Sequence, residues 1–580
     1  MIFVISVFLP AIIGILAILP KTRNTAIRLL FPVAAVPALI AALPGASADI
    51  EISSLILGLR FGLGIYGQIF LLATAFVWFA SSLFTLAYMI KKPRVPSFVF
   101  FFLLTMSGNF GLILARDIPS FYTFFAIMTY AAYGLITHDR TPEALRAGNV
   151  YLVMSLLGET AIVTAIFLTV SSASGIGIED IGPALENSSW RGVILIAAFI
   201  GFGIKAGAFL LHFWLPIAHP AAPSPASAVL SGCMIKAGLL GWLYFFPVGT
   251  ADFPVWGVIF AILGLAALFY GTVIGLLKHN PKTILAFSSI SQMGLMTLTV
   301  GVGLKDAVLW PLVLPVLFVL VLNHALAKGS LFLMTGTAAS TAIKNWSGRL
   351  LLVGALFPVL ALAGFPWTGG AAAKYGLKHA SASSSLPWLI DPTLVLGLSA
   401  LATAWLLAHF LIKLGESMNR QKNQTPLPFG LWFPSTMLLP ALAGVMIIVS
   451  YFNIDKEVQL AEMMHYDIWS SAWPVLAGLI LGIPFRLLCG HCILPDANLW
   501  EKMMRMPRFL LKVDLWIMFI WEKCKQWFAR FFWIQYFKLF GKEEKSAHVF
   551  KWIEHRITHW HTAGLMFAVL LMGFLLLNLL

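Results

Sequence analysis

The feature that most constrains this chain is a series of apolar stretches, each about 20 residues long. They recur from residue 2 to residue 490 and once more at 562–580. A helix of about 20 apolar residues crosses a hydrocarbon core of roughly 30 Å. Only 11% of the residues are charged, whereas soluble domains carry roughly a quarter. The sequence therefore predicts an all-α polytopic membrane protein with about 14–16 transmembrane helices in a lipid bilayer.

The apolar stretches are not interrupted by any soluble domain. No segment has the pattern of a nucleotide-binding or iron–sulfur module, so we expect no cofactor and no metal site. The formal net charge of +14 fits a membrane protein with basic cytoplasmic edges. Because no soluble basic domain is present to hold nucleic acid, we expect no nucleic-acid partner.

The loop charges predict an orientation. Lys21, Lys92 and Arg140 lie in basic loops after the first, third and fifth predicted spans, whereas the loops with Asp49 and Glu179 are neutral to acidic. Lys and Arg favour the cytoplasmic side, so we expect the N-terminus to face outward from a bacterial or archaeal cell (inner) membrane. The first apolar stretch has no basic start and no clear cleavage site, which predicts a retained span rather than a signal peptide.

Cys489 and Cys492 stand in the sequence LLCGHCILPD. The pattern C-G-H-C is typical of thiol–disulfide exchange in thioredoxin-like folds, where it follows a strand and begins a helix. Here it lies at the end of an apolar stretch. Two readings stay open: a redox pair, or two ordinary cysteines at the membrane edge.

Ionisable side chains inside the apolar stretches are few, and they are the candidate functional residues. Each costs a few kcal/mol or more at membrane depth, so such a side chain usually faces a hydrated interior or a partner group. A lysine in a low-dielectric site also binds its proton less tightly, which allows it to load and release protons. The candidates are Glu159, Lys205, His212, His219, Lys236, His324, Lys328, Lys374 and Lys378.

The spacing of these residues predicts that several share a helix face. Lys205 and His212 are two helical turns apart, provided that the helix is continuous between them. His324 and Lys328 are four residues apart, as are Lys374 and Lys378. A simpler reading is also open: a single histidine can hydrogen-bond a neighbouring helix. Lys378 is expected to extend to the headgroups.

Two segments combine these residues with helix-breaking ones. The first has four prolines that cannot all stand in a regular helix, and the second is rich in glycine and ends at a lysine. Irregular backbone at membrane depth is tolerated where it is buried or lines a hydrated cavity. Two such segments in matching halves of a chain indicate a transporter built from repeats. The breaking residues are Pro216, Pro220, Pro223 and Pro225 in the first segment, and Gly364, Pro366, Gly369 and Gly370 in the second.

Four stretches carry a family resemblance: KAGAFLLHFWLPIAHPAAPSPASAVLSGCMIKAG, PKTILAFSSISQMG, NHALAKGSLFLMTG and GFPWTGGAAAK. In order and spacing they resemble the signatures of the antiporter-like subunits of respiratory complex I, Mrp-type sodium/proton antiporters and membrane-bound hydrogenases. The resemblance covers roughly residues 95–415. It implies two inverted five-helix repeats, each with one broken helix, and a hydrated row of lysines and histidines across the membrane plane.

The resemblance also implies residue roles. Lys205 matches the lysine of the first half-channel, and Lys236 matches the connecting lysine. His324 and Lys328 match the central pair, and Lys374 matches the terminal lysine of the second half.

The chain departs from the family pattern at Ala126, where the family has a glutamate that pairs with the first lysine. Glu159, on the next predicted span, is the only mid-span acid in this half. Our hypothesis is that Glu159 takes over this role and pairs with Lys205. The alternative is that Glu159 is a protonated packing residue in a degenerate half-channel. Lys282 follows Asn280–Pro281 where the family has an acid, and we expect it to be a membrane-edge residue without a part in ion movement.

The C-terminal region changes character. Residues 501–561 are basic and rich in tryptophan, which predicts an amphipathic helix in the headgroup layer. It is followed by a final span at 562–580, an arrangement that resembles the lateral helix of long family members. A membrane hairpin without a partner is the alternative. The predicted divisions are N-terminal spans 1–94, a first antiporter repeat 95–250, a second 251–415, C-terminal spans 416–500, the lateral helix 501–561 and the anchor 562–580.

Three functions are compatible with these patterns. The first is a proton-translocating subunit of an energy-converting complex of the complex I or hydrogenase type, with sodium as an alternative ion. Such a translocase subunit would have no redox cofactor of its own, and its partners would be other membrane subunits. The second is the ion-coupling subunit of an inorganic-carbon uptake complex with a soluble zinc protein. The third is a stand-alone sodium/proton antiporter.

Overall fold

The structure is a computed structural model that describes residues 1–489, except 44, 46–48, 53–57, 65, 90–91, 247, 250–251, 389, 421–428 and 452–467. The predicted lateral helix 501–561, the predicted final span 562–580 and Cys492 lie outside the described residues. Cys489 is the last residue of a described helix. The described residues up to 484 form one compact unit, and residues 485–489 belong to a second.

The described chain is almost entirely helical. In order, the first α-helices are α1 Ile2–Ile18, α2 Arg23–Thr25, α3 Val36–Ala41, α4 Gly67–Tyr88, α5 Val95–Leu114, α6 Ile118–Ile136, α7 Pro142–Val170, α8 Ile181–Asn187, α9 Arg191–Ala206, α10 Leu215–Ala221 and α11 Ser224–Val229. They are followed by α12 Ile235–Phe245, α13 Pro254–Leu276, α14 Pro281–Lys305, α15 Trp310–Ala338, α16 Trp346–Ala363, α17 Gly369–Ser383, α18 Pro392–Asn419, α19 Phe429–Thr436, α20 Leu438–Ala443, α21 Val445–Tyr451 and α22 Ile468–Cys489.

Short irregular helices join some of these elements. Two are π-helical, at Ala26–Leu30 and Leu230–Met234, and three are 3₁₀-helical, at Phe31–Val33, Ile178–Asp180 and Ala307–Leu309. The described strands are β1 Ile50–Ile52 and β2 Leu59–Phe61, which pair antiparallel with Glu51 opposite Arg60.

The all-α polytopic membrane class predicted from the sequence is confirmed. Within the described residues, 10 helical segments are long and apolar enough to cross a membrane. Three shorter apolar helices accompany them, at Ile2–Ile18, Phe429–Ala443 and Ile468–Gly482. The total of about 14–16 spans, the inverted repeats and the divisions between them stay predictions.

Side-chain caps set the start of several helices. Asp117 caps α6: its carboxylate accepts hydrogen bonds from the Ser120 backbone N–H at 2.7 Å and from the Ser120 hydroxyl at 2.5 Å. Thr141 caps α7 and Asn280 caps α14 in the same way. A proline stands in the first turn of each of these helices, where its missing N–H costs nothing.

Helices α13 and α14 pack closely along a row of glycines. A Cβ atom on Gly264 would lie 2.7 Å from the carbonyl oxygen of Gly294, and one on Gly294 would lie 2.6 Å from the carbonyl oxygen of Gly264. Both distances are below van der Waals contact, so the two backbones touch only because neither residue has a side chain. Small residues serve membrane helices in this way because lipid gives little hydrophobic drive for association.

The acidic loops meet at one end of the bundle. Arg60 pairs with Glu179 at 3.2 Å, and Arg116 pairs with Asp49 at 3.8 Å. The backbone N–H of Arg60 donates to Asp117 at 2.8 Å. Three loops distant in sequence are therefore bound together on this face.

The basic loops meet in a second group. Lys282, at the start of α14, interacts electrostatically with Lys92 and Asp139, and His138 interacts with Arg94. This separation of acidic and basic loops agrees with the alternation in the sequence on which the predicted orientation depends.

Candidate functional site

The first broken helix is interrupted by glycine before its prolines. Helix α9 ends at Ala206, and Gly207 adopts the left-handed conformation with φ 71°. The N–H of Ala208 closes the turn on the carbonyl of Gly203 at 2.9 Å. The indole N–H of Trp214 donates to the carbonyl of Ile204 at 2.7 Å, and this carbonyl also accepts from the Gly207 N–H at 3.3 Å. Two donors thus satisfy this acceptor at the end of the helix.

This break corrects the expectation that Lys205 and His212 share one helix face. The expectation required a continuous helix, and the left-handed Gly207 ends it between them. His212 instead lies among aromatic rings: its ring centroid is 5.1 Å from that of Phe213 and 5.0 Å from that of Tyr270. Neither ring nitrogen of His212 has a hydrogen-bond partner of good geometry.

The prolines of this segment begin helices more often than they break them. Pro216 stands in the first turn of α10 and Pro225 in the first turn of α11. Pro223 is the N-cap residue of α11, and Pro220 lies inside the short helix α10. The interruptions of the helical backbone are therefore 207–214 and 222–223.

The second break repeats the first. Helix α16 ends at Ala363, Gly364 is left-handed with φ 87°, and the N–H of Phe365 donates to the carbonyl of Leu360 at 3.0 Å. In each segment a non-glycine residue three positions after this glycine has positive φ: Leu210 with 68° in the first and Trp367 with 61° in the second.

Pro366 lies inside the second interruption, as expected, but Gly370 does not. Gly370 belongs to helix α17, where a Cβ atom would overlap the carbonyl oxygen of Ala361. Its role is therefore close approach of α17 to the end of α16 and not a break in the backbone.

Lys205 is buried in the last turn of α9, with 4% of its surface exposed. Its ammonium group donates to the hydroxyl of Thr129 at 2.8 Å and to the phenol oxygen of Tyr151 at 3.2 Å. It also lies 5.4 Å from the ring centroid of Phe125, which is within range of a cation–π contact. The hydroxyl of Tyr151 donates onward to the carbonyl of Thr129 at 2.8 Å.

Glu159 lies on the buried face of α7, with 4% of its surface exposed. Its carboxyl group interacts with Lys205, Tyr122 and Thr129, yet neither of its oxygens has a hydrogen-bond partner of good geometry. Thr129 thus lies between the two charged groups. Glu159 also interacts electrostatically with Tyr130.

Ala126 is half-buried on the same face of α6 as these neighbours. Tyr122, Thr129 and Tyr130 are three or four residues from Ala126, so all four project toward one side of the helix. The carboxylate of Glu159 therefore approaches α6 on the side from which a longer residue at position 126 would project.

A buried lysine–histidine pair joins α12 and α15. The ammonium of Lys236 lies 2.6 Å from Nδ1 of His324 and donates to the carbonyl of Ser231 at 2.7 Å. Both side chains are 1% exposed. Ser231 belongs to the π-helical segment directly before α12, and its hydroxyl is 2.8 Å from that of Ser289. The pair therefore links α12 to α15, 88 positions later in the chain.

Two further lysines are anchored on backbone carbonyls. The ammonium of Lys328, one turn after His324 in α15, donates to the carbonyl of Leu285 at 2.9 Å. The ammonium of Lys374 donates to the carbonyl of Ala363 at 2.7 Å. Ala363 is the last residue of α16, directly before the left-handed Gly364. Lys374 and Lys378 both line a small pocket, together with Tyr375, Ser470 and Ser471.

The partners of these lysines were not predicted from the sequence. Tyr151 could have been found, because Tyr151, Ser155 and Glu159 follow one another at intervals of four residues on α7 and share its buried face. Thr129, Ser231 and the carbonyl of Leu285 gave no such signal. In the part of the chain that the structure describes, no group of three or more His, Cys, Asp and Glu is placed to hold a metal ion.

Comparison with known proteins relates this arrangement to a family. The family profile described as "NADH:quinone oxidoreductase/Mrp antiporter, TM" matches residues 115–399, a range that contains every candidate from Ala126 to Lys374. Residues 115–399 thus belong to the superfamily of antiporter-like membrane subunits. The resemblance in the sequence motifs is thereby confirmed.

Relatives of this antiporter-like subunit carry names from several complexes. The chain is 29% identical over 269 residues to hydrogenase-4 component B of Escherichia coli, a match that covers 45% of this chain and 40% of that protein. It is 28% identical to the hydrogenase-4 component F homolog of Methylacidiphilum infernorum, with 66% of this chain and 86% of that one covered. A Na⁺/H⁺ antiporter subunit A1 of Staphylococcus aureus is 26% identical, with 52% and 40% covered. The chain thus spans less than half of component B and of subunit A1.

Solved structures agree with the fold. A chain of the Mrp complex from Dietzia sp. DQ12-45-1b matches with a TM-score of 0.66 and 18% identity, covering 82% of this chain and 99% of that one. A chain of the archaeal membrane-bound sulfane sulfur reductase matches with a TM-score of 0.60 and 21% identity, covering 82% and 98%. At such identities the likeness describes the fold alone.

Proposed function

We propose that the chain is a proton-translocating subunit of a multisubunit, energy-converting membrane complex. The proposed path contains Glu159, Lys205, Lys236, His324, Lys328 and Lys374, with His212 and His219 beside it. The observation that carries the proposal is the contact of 2.6 Å between the ammonium of Lys236 and Nδ1 of His324. Two proton carriers are in direct contact there, deep in the bundle and at the junction of the two predicted repeats.

The chemistry of this pair favours proton transfer. An ammonium that donates to Nδ1 requires that nitrogen to be unprotonated, with the ring proton on Nε2. Two cations about 4 Å apart repel by about 4 kcal/mol at an effective dielectric constant of 20. The pair therefore holds one added proton at a time, and that proton moves from Lys236 to His324 along an existing hydrogen bond. Arrival of another charge nearby would expel it.

Glu159 is proposed as the counter-ion that controls Lys205. Its carboxyl group approaches the face of α6 that carries Ala126, where the family has its glutamate. Thr129, which accepts from Lys205, also interacts with Glu159, so a rotation of either charged side chain would bring the two together. The carboxylate would then hold the proton on Lys205, and its departure would release it.

One observation favours the alternative of an inactive first half-channel. The ammonium of Lys205 is already hydrogen-bonded to Thr129 and Tyr151 without the carboxylate. In that alternative Glu159 is a protonated residue that packs α7 against α6 and α9.

Protons fit this path better than sodium ions. A sodium site needs several oxygen ligands, preferably with a carboxylate among them. The carbonyl oxygens of Ser231, Leu285 and Ala363 already accept hydrogen bonds from lysine ammonium groups. Because one relative is named a Na⁺/H⁺ antiporter subunit, sodium is the second candidate ion. Experiment must distinguish sodium transport from proton transport.

The partners are proposed to be other membrane subunits, since the relatives are named as components or subunits of complexes. The complex is proposed to reside in a bacterial or archaeal cell (inner) membrane, with the N-terminus of this chain outside. Co-purification from native membranes and identification of every companion chain would test this. Hydrogenase or quinone-reductase companions would support a redox-driven pump, whereas antiporter companions alone would support gradient-driven exchange.

Translocation is tested in inverted vesicles from native membranes that contain the intact complex. Proton movement is followed with a fluorescent pH-sensitive dye, driven first by the electron donor of the companions and then by an imposed sodium gradient. We expect proton movement that is lost with Lys236→Ala at unchanged assembly. Full proton movement in that variant would contradict the proposed row.

A further inference from the structure

Lys282 is more closely connected to the interior than its sequence context predicts. It is the second residue of α14, and its side chain is half-buried. The ammonium group donates to the carbonyl of Ala222 at 2.8 Å, 60 positions earlier. That carbonyl stands at the C-terminal end of α10, at the second interruption of the first broken helix. Electrostatic interactions with Lys92 and Asp139 join Lys282 to the basic loops.

His219 lies in the short helix α10, three residues before its C-cap residue Ala222. Its side chain is fully buried, and neither ring nitrogen has a hydrogen-bond partner of good geometry. The ring stacks on Phe332, with 4.7 Å between the centroids and 21° between the planes. Burial of an imidazole without hydrogen-bond partners costs free energy. His219 therefore does not serve stability, and a role in function is the alternative. The backbone at His219 is held by the Ser227 hydroxyl, which donates to its carbonyl at 2.8 Å.

Two lysines lie within electrostatic range of this histidine. His219 interacts electrostatically with both Lys328 and Lys282. Lys328 is anchored on the carbonyl of Leu285, three residues after Lys282 in α14, and Phe332 follows Lys328 by one turn in α15. The imidazole thus interacts with one lysine at the basic edge and with one lysine of the central row.

We infer that Lys282 and His219 form a side branch that carries protons between the basic loops and Lys328. The inference rests on the proposed function, because the branch would be the route by which protons enter the row of lysines and histidines. In one transfer cycle the ammonium of Lys282 breaks its hydrogen bond to the Ala222 carbonyl and gives its proton to the unprotonated ring nitrogen of His219. The opposite ring nitrogen then releases its proton to the neutral amine of Lys328. Ring rotation restores the starting tautomer, and Lys282 takes a new proton from the loop side.

Two substitutions separate proton transfer from anchoring. Lys282→Arg keeps the positive charge and a donor for the carbonyl of Ala222, but a guanidinium does not release its proton. Lys282→Met removes both the proton carrier and the donor that anchors the side chain on Ala222. Lys344→Met is the matched control, because it removes an exposed lysine outside the branch. All variants are made in the intact complex, checked for assembly on native gels and measured in the vesicle assay beside Lys236→Ala.

We expect Lys282→Arg and Lys282→Met each to slow proton movement at least about tenfold, in line with the loss of a positioned proton carrier, and Lys344→Met to leave it unchanged. Full movement in Lys282→Arg would overturn the branch, because Lys282 would then serve only as an anchor. Failure of the proposed function looks different: Lys236→Ala would then move protons as fast as the unaltered complex. Loss in Lys236→Ala with full rate in both Lys282 variants would reject the branch alone.

Discussion

The ammonium of Lys236 lies 2.6 Å from Nδ1 of His324, and it is held there by the carbonyl of Ser231 at 2.7 Å. The two residues come from the predicted first and second repeats, 88 positions apart. Their contact depends on the π-helical turn Leu230–Met234, which directly precedes α12. π-Helical turns are often found at functional sites, and this one contributes the carbonyl that orients the lysine.

Replacement of His324 tests this contact. His324→Gln retains an acceptor for the Lys236 ammonium but cannot be protonated, so we expect assembly to persist and proton movement to fall about 10²-fold or more. The vesicle assay measures the rate, and native gels measure the assembly. His379→Gln, at an exposed position of α17, is the control. A His324→Gln complex that pumps at full rate would remove His324 from the path.

The position of the first-half carboxylate can be tested by moving it. Glu159→Gln should strongly reduce proton movement if the carboxylate controls Lys205. The double variant Glu159→Gln with Ala126→Glu returns a carboxylate to the place where the family has one, and we expect it to restore much of the rate. If Glu159→Gln alone has no effect, Glu159 is a packing residue and the first half-channel is inactive.

Gly370 provides a test of the close approach of α17 to α16. Gly370→Ala places a methyl group where the carbonyl of Ala361 lies, and we expect the free energy of unfolding to fall by about 1–3 kcal/mol. Thermal unfolding of the detergent-solubilised complex measures this. Gly397→Ala is the matched control, because a Cβ there meets no atom within 4 Å. Equal melting temperatures for the two variants would contradict the close packing.

His138 gives a pH dependence of stability outside the membrane spans. Burial lowers the pKa of His138 from 6.5 to about 4, Asp139 opposes this, and Arg94 and Lys92 add to it. The folded state thus keeps His138 neutral while the unfolded chain takes up a proton below about pH 6.5. This contribution to stability is present above pH 6.5 and is lost as the pH falls toward 4.

We therefore expect the melting temperature to fall between pH 7 and pH 5, and to fall less in His138→Gln, which has no titratable ring. Thermal unfolding across this range, in parallel for both proteins, measures the difference. Identical pH dependence in the two proteins would exclude His138 as a contributor.

The predicted orientation can be checked with single cysteines. Glu179 and Asp139 are both exposed and lie among the acidic and the basic loops, respectively. In a variant without the native cysteines, we expect Glu179→Cys to react with an impermeant maleimide on intact cells, and Asp139→Cys to react only in inverted vesicles. The reverse pattern would place the N-terminus inside.

The sequence predicted the location of the broken segments better than their cause. Four prolines predicted a broken helix at 216–225. A proline in the first turn of a helix is favourable, however, and both Pro216 and Pro225 stand in first turns. The break begins earlier, at Gly207. Its signal was a glycine two residues after a lysine, which is too common a pattern to be read without the φ angle.

The sequence by itself determined the class of this protein and its candidate residues. Long apolar stretches allow little but membrane helices, because lipid satisfies no backbone hydrogen bonds, and an ionisable residue at that depth is too costly to be there without a reason. Only the tertiary structure decided which of these residues meet. The contacts of Lys205 with Thr129 and Tyr151, of Lys236 with His324, and of Lys282 with Ala222 join positions 54 to 88 apart. Such contacts depend on how helices cross and where they break, which helical periodicity within one span does not encode.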